Sequence, residues 1–261
     1  MNITIAQDAR PQVRTLLIAA ALTVALWFIP FAEILTYPFR IFVTFIHEGG
    51  HAIAALLTGN EVHSLSVALD GSGEVYSTRG GLLSRMFVSS AGYLGAMSFG
   101  ALLLMLIRRS FAARMVLVGS AGLILLLTVA YGFFSPLMHA SLPSLFTIIA
   151  GVALPAGLIA VARFASPRVA GFLVSFLAVQ CVLNALFDLK TVLFLSTPLG
   201  ASVQTDAANM AAATGIPAFL WALVWIGIAF LILSMAMRAY SVSRNSPSQP
   251  DLPFEDSPLE V

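Results

Sequence analysis

His47, Glu48 and His51 stand within five residues of one another in the run "FVTFIHEGGHAIAALLTG", residues 42–59, which is otherwise apolar. Histidines four residues apart share one face of a helix about a turn from each other. From there two imidazole nitrogens can reach one ion at about 2.0–2.1 Å. Glu48, next to His47, can face a water on that ion without being a ligand itself. The pattern is H-E-x-x-H, in which a zinc ion lowers the pKa of its water and the glutamate takes the proton. Three ionisable groups in the middle of an apolar helix are costly unless paired or bound to metal, so a metal site is favoured over the alternative of a structural polar cluster. Gly49 and Gly50 fill the x positions. Each costs about 1 kcal/mol against Ala in a helix interior, which implies that another backbone, or a substrate, comes close there.

Those residues need an element to carry them, and the composition says what kind. Of 261 residues 59% are apolar and only 10% charged, and the mean hydropathy is +0.95. These values belong to a polytopic membrane protein. The 13 basic and 12 acidic residues lie mostly between apolar runs, so they mark loops and leave no nucleic-acid footprint. Cys181 is the only cysteine, which excludes an intrachain disulfide and any zinc site built on several thiolates. A metal must then be held by histidine and carboxylate.

Apolar runs near the roughly 20 residues needed to span hydrocarbon fall at about 15–32, 38–58, 82–107, 115–134, 143–162, 168–195 and 217–237. The expected fold is therefore an all-α polytopic membrane protein of about seven transmembrane helices. No clear small-residue cleavage site follows the first run, so it reads as a retained helix. Residues 59–81 alternate apolar and polar through Val62, Leu65, Val67 and Leu69, turn at "DGSG" and resume at Val75 and Tyr76. They read as a β-hairpin inserted after the motif helix, and their exposed edge could dock an extended peptide or be a plain structural loop. Residues 196–216 read as a small polar loop with a short helix around "DAANMAAA", capped by Thr205 or Asp206. The organisation is an N-terminal segment 1–14, a membrane domain 15–239 and a Ser-, Pro- and acid-rich tail 240–261 of disordered composition.

With the hairpin ending "GSGEVYSTRGG", the small-residue helix "SSAGYLGAMSFGALLL", "NALFDL" and "TDAANMAAATGIPAFLWALVW", the motif resembles the site-2-protease type of intramembrane zinc metalloproteases, in a bacterial peptidase M50B-like branch. The resemblance covers most of residues 40–237. It implies Zn2+ held by His47, His51 and an aspartate from a later helix, with Glu48 as base and a peptide bond cut within or near the bilayer. Asp188, the only carboxylate inside any later apolar run, is the expected third ligand, leaving the fourth zinc position open. Its alternative is a helix-end charge paired with Lys190. Asn184, four residues earlier on the same face, is expected either to hold the substrate backbone or developing oxyanion as a catalytic residue, or to make a helix–helix hydrogen bond. The run "NALFDLK" lacks the proline and the Asp-Gly pair of better-studied members.

The remaining polar residues read as structural. His63 and Asp70 are expected in a solvated hairpin, His139 in an interfacial loop and Asp206 as a cap. Gly92, Gly95 and Gly100 should let the third helix pack tightly on the motif helix. Basic-residue counting favours a cytoplasmic placing for the loops at Arg108–Arg114 and Arg163–Arg168. The resemblance implies the opposite orientation, with zinc toward the cytosol. Two functions stay open: a zinc metallopeptidase of the bacterial inner membrane acting on membrane-anchored proteins, and a non-proteolytic scaffold, chaperone or transporter-like protein of the same fold.

Overall fold

A computed structural model describes residues 6–109, 112–196 and 205–240. The polar loop at 197–204, the first five residues and the tail beyond Tyr240 lie outside the described residues.

Backbone groups in hydrocarbon must bond within their own segment, and the apolar runs accordingly form helices. These are α1 (Arg10–Trp27), α2 (Ala32–Leu57), α3 (Leu82–Arg108), α4 (Ala113–Leu127), α5 (Ser135–Met138), α6 (Leu145–Phe164), α7 (Pro167–Leu195), α8 (Asp206–Thr214) and α9 (Ala218–Arg238). A π-helical segment, Thr128–Phe134, joins α4 to α5 without a break. Among the described residues, six helical stretches are long and apolar enough to cross a membrane. The charged motif keeps α2 out of that set. At 26 residues it is the seventh long helix, and it begins before the expected 38 and runs through Pro38.

The hairpin forms as β1 (Val62–Val67) and β2 (Gly73–Ser77), an antiparallel pair in which Val67 faces Gly73 and Leu65 faces Val75. Asp70 Oδ1 accepts from the Ser72 backbone N–H at 2.9 Å and from its hydroxyl at 2.6 Å. Gly71 takes φ 83°, a conformation that side chains disfavour. The hairpin lies along the motif helix, with the Tyr37 hydroxyl donating to the Leu69 carbonyl at 2.6 Å and the Thr44 hydroxyl to that of Gly71 at 2.9 Å.

The outer edge of β1 is closed by side chains. Ser135 donates to the Val62 carbonyl at 2.6 Å, while the Thr147 hydroxyl both accepts from Val67 N–H at 2.8 Å and donates to its carbonyl at 3.1 Å. Among the described residues the sheet has two strands, so its other edge belongs to β2.

Helix α3 sits at the centre, packed on α2, α7, α8 and α9. A Cβ at Gly50 would strike the Ala91 carbonyl of α3, and one at Gly95 would come to 3.3 Å from the Gly50 Cα. The motif glycine and the small face of α3 thus let two backbones touch. Gly100 serves another contact. A Cβ there would meet Val182, Cys181 and the Ala178 carbonyl, so the expected three-glycine face divides between α2 and α7. At one end of the bundle buried Arg108 donates to Asp8 at 2.9 Å and to the Ala239 carbonyl at 2.9 Å. It ties the N-terminal turn to the end of α9.

Candidate metal centre

The four-residue spacing does on α2 what helix geometry requires. His47 Nε2 and His51 Nε2 lie 3.1 Å apart, with the rings edge to face. His51 Nδ1 is 2.7 Å from the Val88 carbonyl of α3. Only a ring N–H can make that bond, so Nε2 is the nitrogen turned to the site, open to an ion in place of a proton. The His47 ring stands edge to face with Tyr93, centroids 4.7 Å apart; Tyr93 packs in turn on Trp225, whose indole N–H donates to Ser90 at 3.0 Å.

The third member of the cluster comes from α8. Asp206 Oδ2 is 3.4 Å from His47 Nε2 and 3.2 Å from His51 Nε2. Two ligands of one tetrahedral ion at about 2.0–2.1 Å are separated by about 3.3–3.4 Å. The observed 3.1, 3.2 and 3.4 Å match that triangle, and the nitrogen, nitrogen and oxygen donor set suits zinc. The group of His47, His51 and Asp206 could therefore bind a metal. A Cβ at Gly92 would fall on Nε2 of both histidines, so α3 makes room for the triangle by lacking a side chain at that one position.

Asp206 was expected to cap α8, and the structure corrects this. Thr205 takes the cap, its hydroxyl accepting from Ala208 N–H at 3.2 Å, which frees the carboxylate of Asp206 to point at the histidines. Burial opposes ionisation of that carboxyl. The charge of His51 and hydrogen bonds from both imidazoles outweigh it and hold Asp206 well below the usual carboxylate range.

Asp188, expected as the third ligand, lines the same cavity but does not join the converging atoms. It lies in the fields of His47 and Arg40. Its alternative partner Lys190 instead stands over the Phe187 ring, 4.6 Å from the centroid. Asn184 also lines the cavity, and its amide N–H groups are both committed, to the Gln180 carbonyl at 2.8 Å and to Gln180 Oε1 at 3.0 Å. Gln180 N–H donates to Thr23 Oγ1 at 3.1 Å, and Thr23 donates to the Ala19 carbonyl at 2.9 Å. That directional chain fixes which way Asn184 faces. Only its Oδ1 remains for a ligand, so it can accept from a backbone N–H but cannot donate to an oxyanion.

Glu48 is buried, 5% exposed. A Cβ at Gly73 would touch its side chain, so the first residue of β2 passes directly over it. The cavity measures about 1200 Å³ and includes Arg40, Glu48, Gly73, Val75, Asp188 and Asp206 in its lining. Its floor is a candidate metal triad with an adjacent carboxylate, and one wall is a strand edge.

Sequence reasoning passed over Asp206 because it looked for carboxylates inside apolar runs. A signal was available: an acidic residue opening a short helix of small residues, beside a threonine that can also cap it. The peptidase M50B-like family model matches residues 16–236. No curated protein and no solved structure gives a match.

Proposed function

Because the chain belongs to the peptidase M50B-like family, a family of membrane metallopeptidases, we propose that it is an intramembrane zinc endopeptidase. In this reading it hydrolyses a peptide bond of membrane-anchored protein substrates, within or near the bilayer of a bacterial inner membrane. The observation that carries the reading is the convergence of His47, His51 and Asp206 beside a buried Glu48 under the outer edge of β2.

His47, His51 and Asp206 would hold the ion, and Asp188 would add a carboxylate to the cavity that receives the substrate. Zinc, when bound, supplies Lewis acidity toward water and toward the scissile carbonyl. The chain's own groups do the rest. Glu48 takes a proton from the attacking water at a carboxylate oxygen and returns it to the leaving amine. An extended substrate pairs with the outer edge of β2, since the edge of β1 is occupied by Ser135 and Thr147. Asn184 Oδ1 accepts a substrate N–H, held in that role by Gln180 and Thr23.

The test uses Glu48→Gln, which keeps shape and hydrogen bonding but removes the proton acceptor. Metal content should stay at the wild-type level, while cleavage of membrane proteins falls by about 10²–10⁴-fold. If the variant complements a deletion strain fully and no membrane protein changes length, the proteolytic reading fails and a non-catalytic scaffold takes its place.

A further inference from the structure

Away from the candidate triad, the start of β1 meets the end of α5. His139 closes that helix, and its Nδ1 lies 2.8 Å from the Ser135 carbonyl. A carbonyl only accepts, so Nδ1 carries a ring hydrogen and Nε2 is the nitrogen open to a proton or a metal ion. What Nε2 faces is another acceptor, Glu61 Oε1, at 3.2 Å. The ring of His63 stacks on that of His139 with centroids 4.0 Å apart and planes 15° from parallel. Ligand atoms of all three residues lie within 4.8 Å of one another. His63, expected as a solvated hairpin residue, is thus half-buried against a second histidine.

Two acceptors at hydrogen-bond distance need a cation between them. A proton on His139 would satisfy Glu61 without engaging His63, whose ring otherwise only packs on His139 and on Tyr76 at 5.9 Å, whereas a dication uses all three donors. We propose that Glu61, His63 and His139 form a second metal site, for a divalent ion of the zinc, nickel or copper class that imidazole favours. The Nδ1 bond to Ser135 supplies the outer hydrogen bond that orients a ligating histidine. Stacked rings cannot both aim in-plane lone pairs at one ion, so binding turns the His63 ring out of the stack. The ion would tie β1 to the helix end that Ser135 already holds, bracing the hairpin from its base. This second site would form whether or not the chain cleaves peptides or holds an ion at the first.

The experiment is zinc stoichiometry on full-length protein in detergent, stripped with chelator and returned to buffered free zinc. Glu61→Gln and His63→Asn are the informative variants, because Glu61 is 67% exposed and neither replacement removes the His139–Ser135 bond that closes α5. Wild type should saturate at about two zinc ions per chain and each variant at about one. A His47→Ala/His51→Ala protein should also keep about one ion, and lose it when His63→Asn is added. Zinc content that Glu61→Gln and His63→Asn leave unchanged overturns the proposal. So does a His47→Ala/His51→Ala protein that binds no zinc. Loss of the first site alone, with the second intact, would count against the metallopeptidase reading and not against this one.

Discussion

A single methyl group at Gly92 should empty the candidate metal centre. A Cβ built there overlaps Nε2 of both His47 and His51, and relieving it requires moving the imidazoles by about 1 Å to reach ordinary van der Waals contact. Metal–ligand distances tolerate about 0.2 Å. His51 cannot step aside freely, because its Nδ1 is held at 2.7 Å by the Val88 carbonyl, and Asp206 approaches from the other direction at 3.2 Å. Disturbing the outer partners of a metal ligand typically weakens binding by 10–100-fold. Displacing two ligands together should reach at least the upper figure, about 2.8 kcal/mol. Zinc binding to purified Gly92→Ala, followed in a competition titration, is the assay. Gly119→Ala serves as the control, since its Cβ meets nothing, and thermal melts show that both proteins are folded. If Gly92→Ala binds zinc as wild type does, the triangle of His47, His51 and Asp206 is not where the ion sits.

The same titration separates the two carboxylates: Asp206→Ala should lose binding sharply, whereas Asp188→Ala should weaken it little, and the reverse result would make Asp188 the third ligand. Gln180→Leu should leave zinc content alone but lower kcat/KM by about tenfold to hundredfold, because Asn184 loses the side-chain one of the two acceptors that hold its amide; unchanged kinetics would remove Asn184 from the substrate path. Val75→Pro deletes an N–H on the outer edge of β2, opposite Leu65, and should impair cleavage with metal retained. Val67→Pro breaks the bond to Thr147 instead and should destabilise the hairpin, so equal and purely catalytic effects of the two prolines would argue against β2 as the docking edge.

What could be read along the chain is what depends on short-range geometry. The membrane helices follow from apolar runs of spanning length, and α3, α6, α7 and α9 begin and end within a few residues of those runs. His47 and His51 meet because four residues is about one helical turn, whatever the rest of the protein does. The hairpin followed from alternation and from the "DGSG" turn, whose Asp70 and Ser72 bond locally. The beginning of α2 was less legible, since the apolar run starts at Pro38 whereas the helix begins at Ala32 and passes through that proline.

Sequence by itself determined the class of protein, the two histidines, the neighbouring glutamate and the presence of a strand pair. Tertiary packing alone decided what surrounds them. Asp206 reaches the histidines because α8 folds back onto α3 and α9, while Asp188, the better candidate by hydropathy, stays on the cavity wall. Asn184 faces the cavity with its oxygen only because Thr23 on α1 orients Gln180. The free edge of the sheet is that of β2 because Ser135 and Thr147 arrive from distant helices to close β1. A residue's position within its own helix is set by bonds a few residues long, but the meeting of donors from different helices depends on how whole faces interlock, which a local pattern such as Thr205 beside Asp206 can hint at but cannot fix.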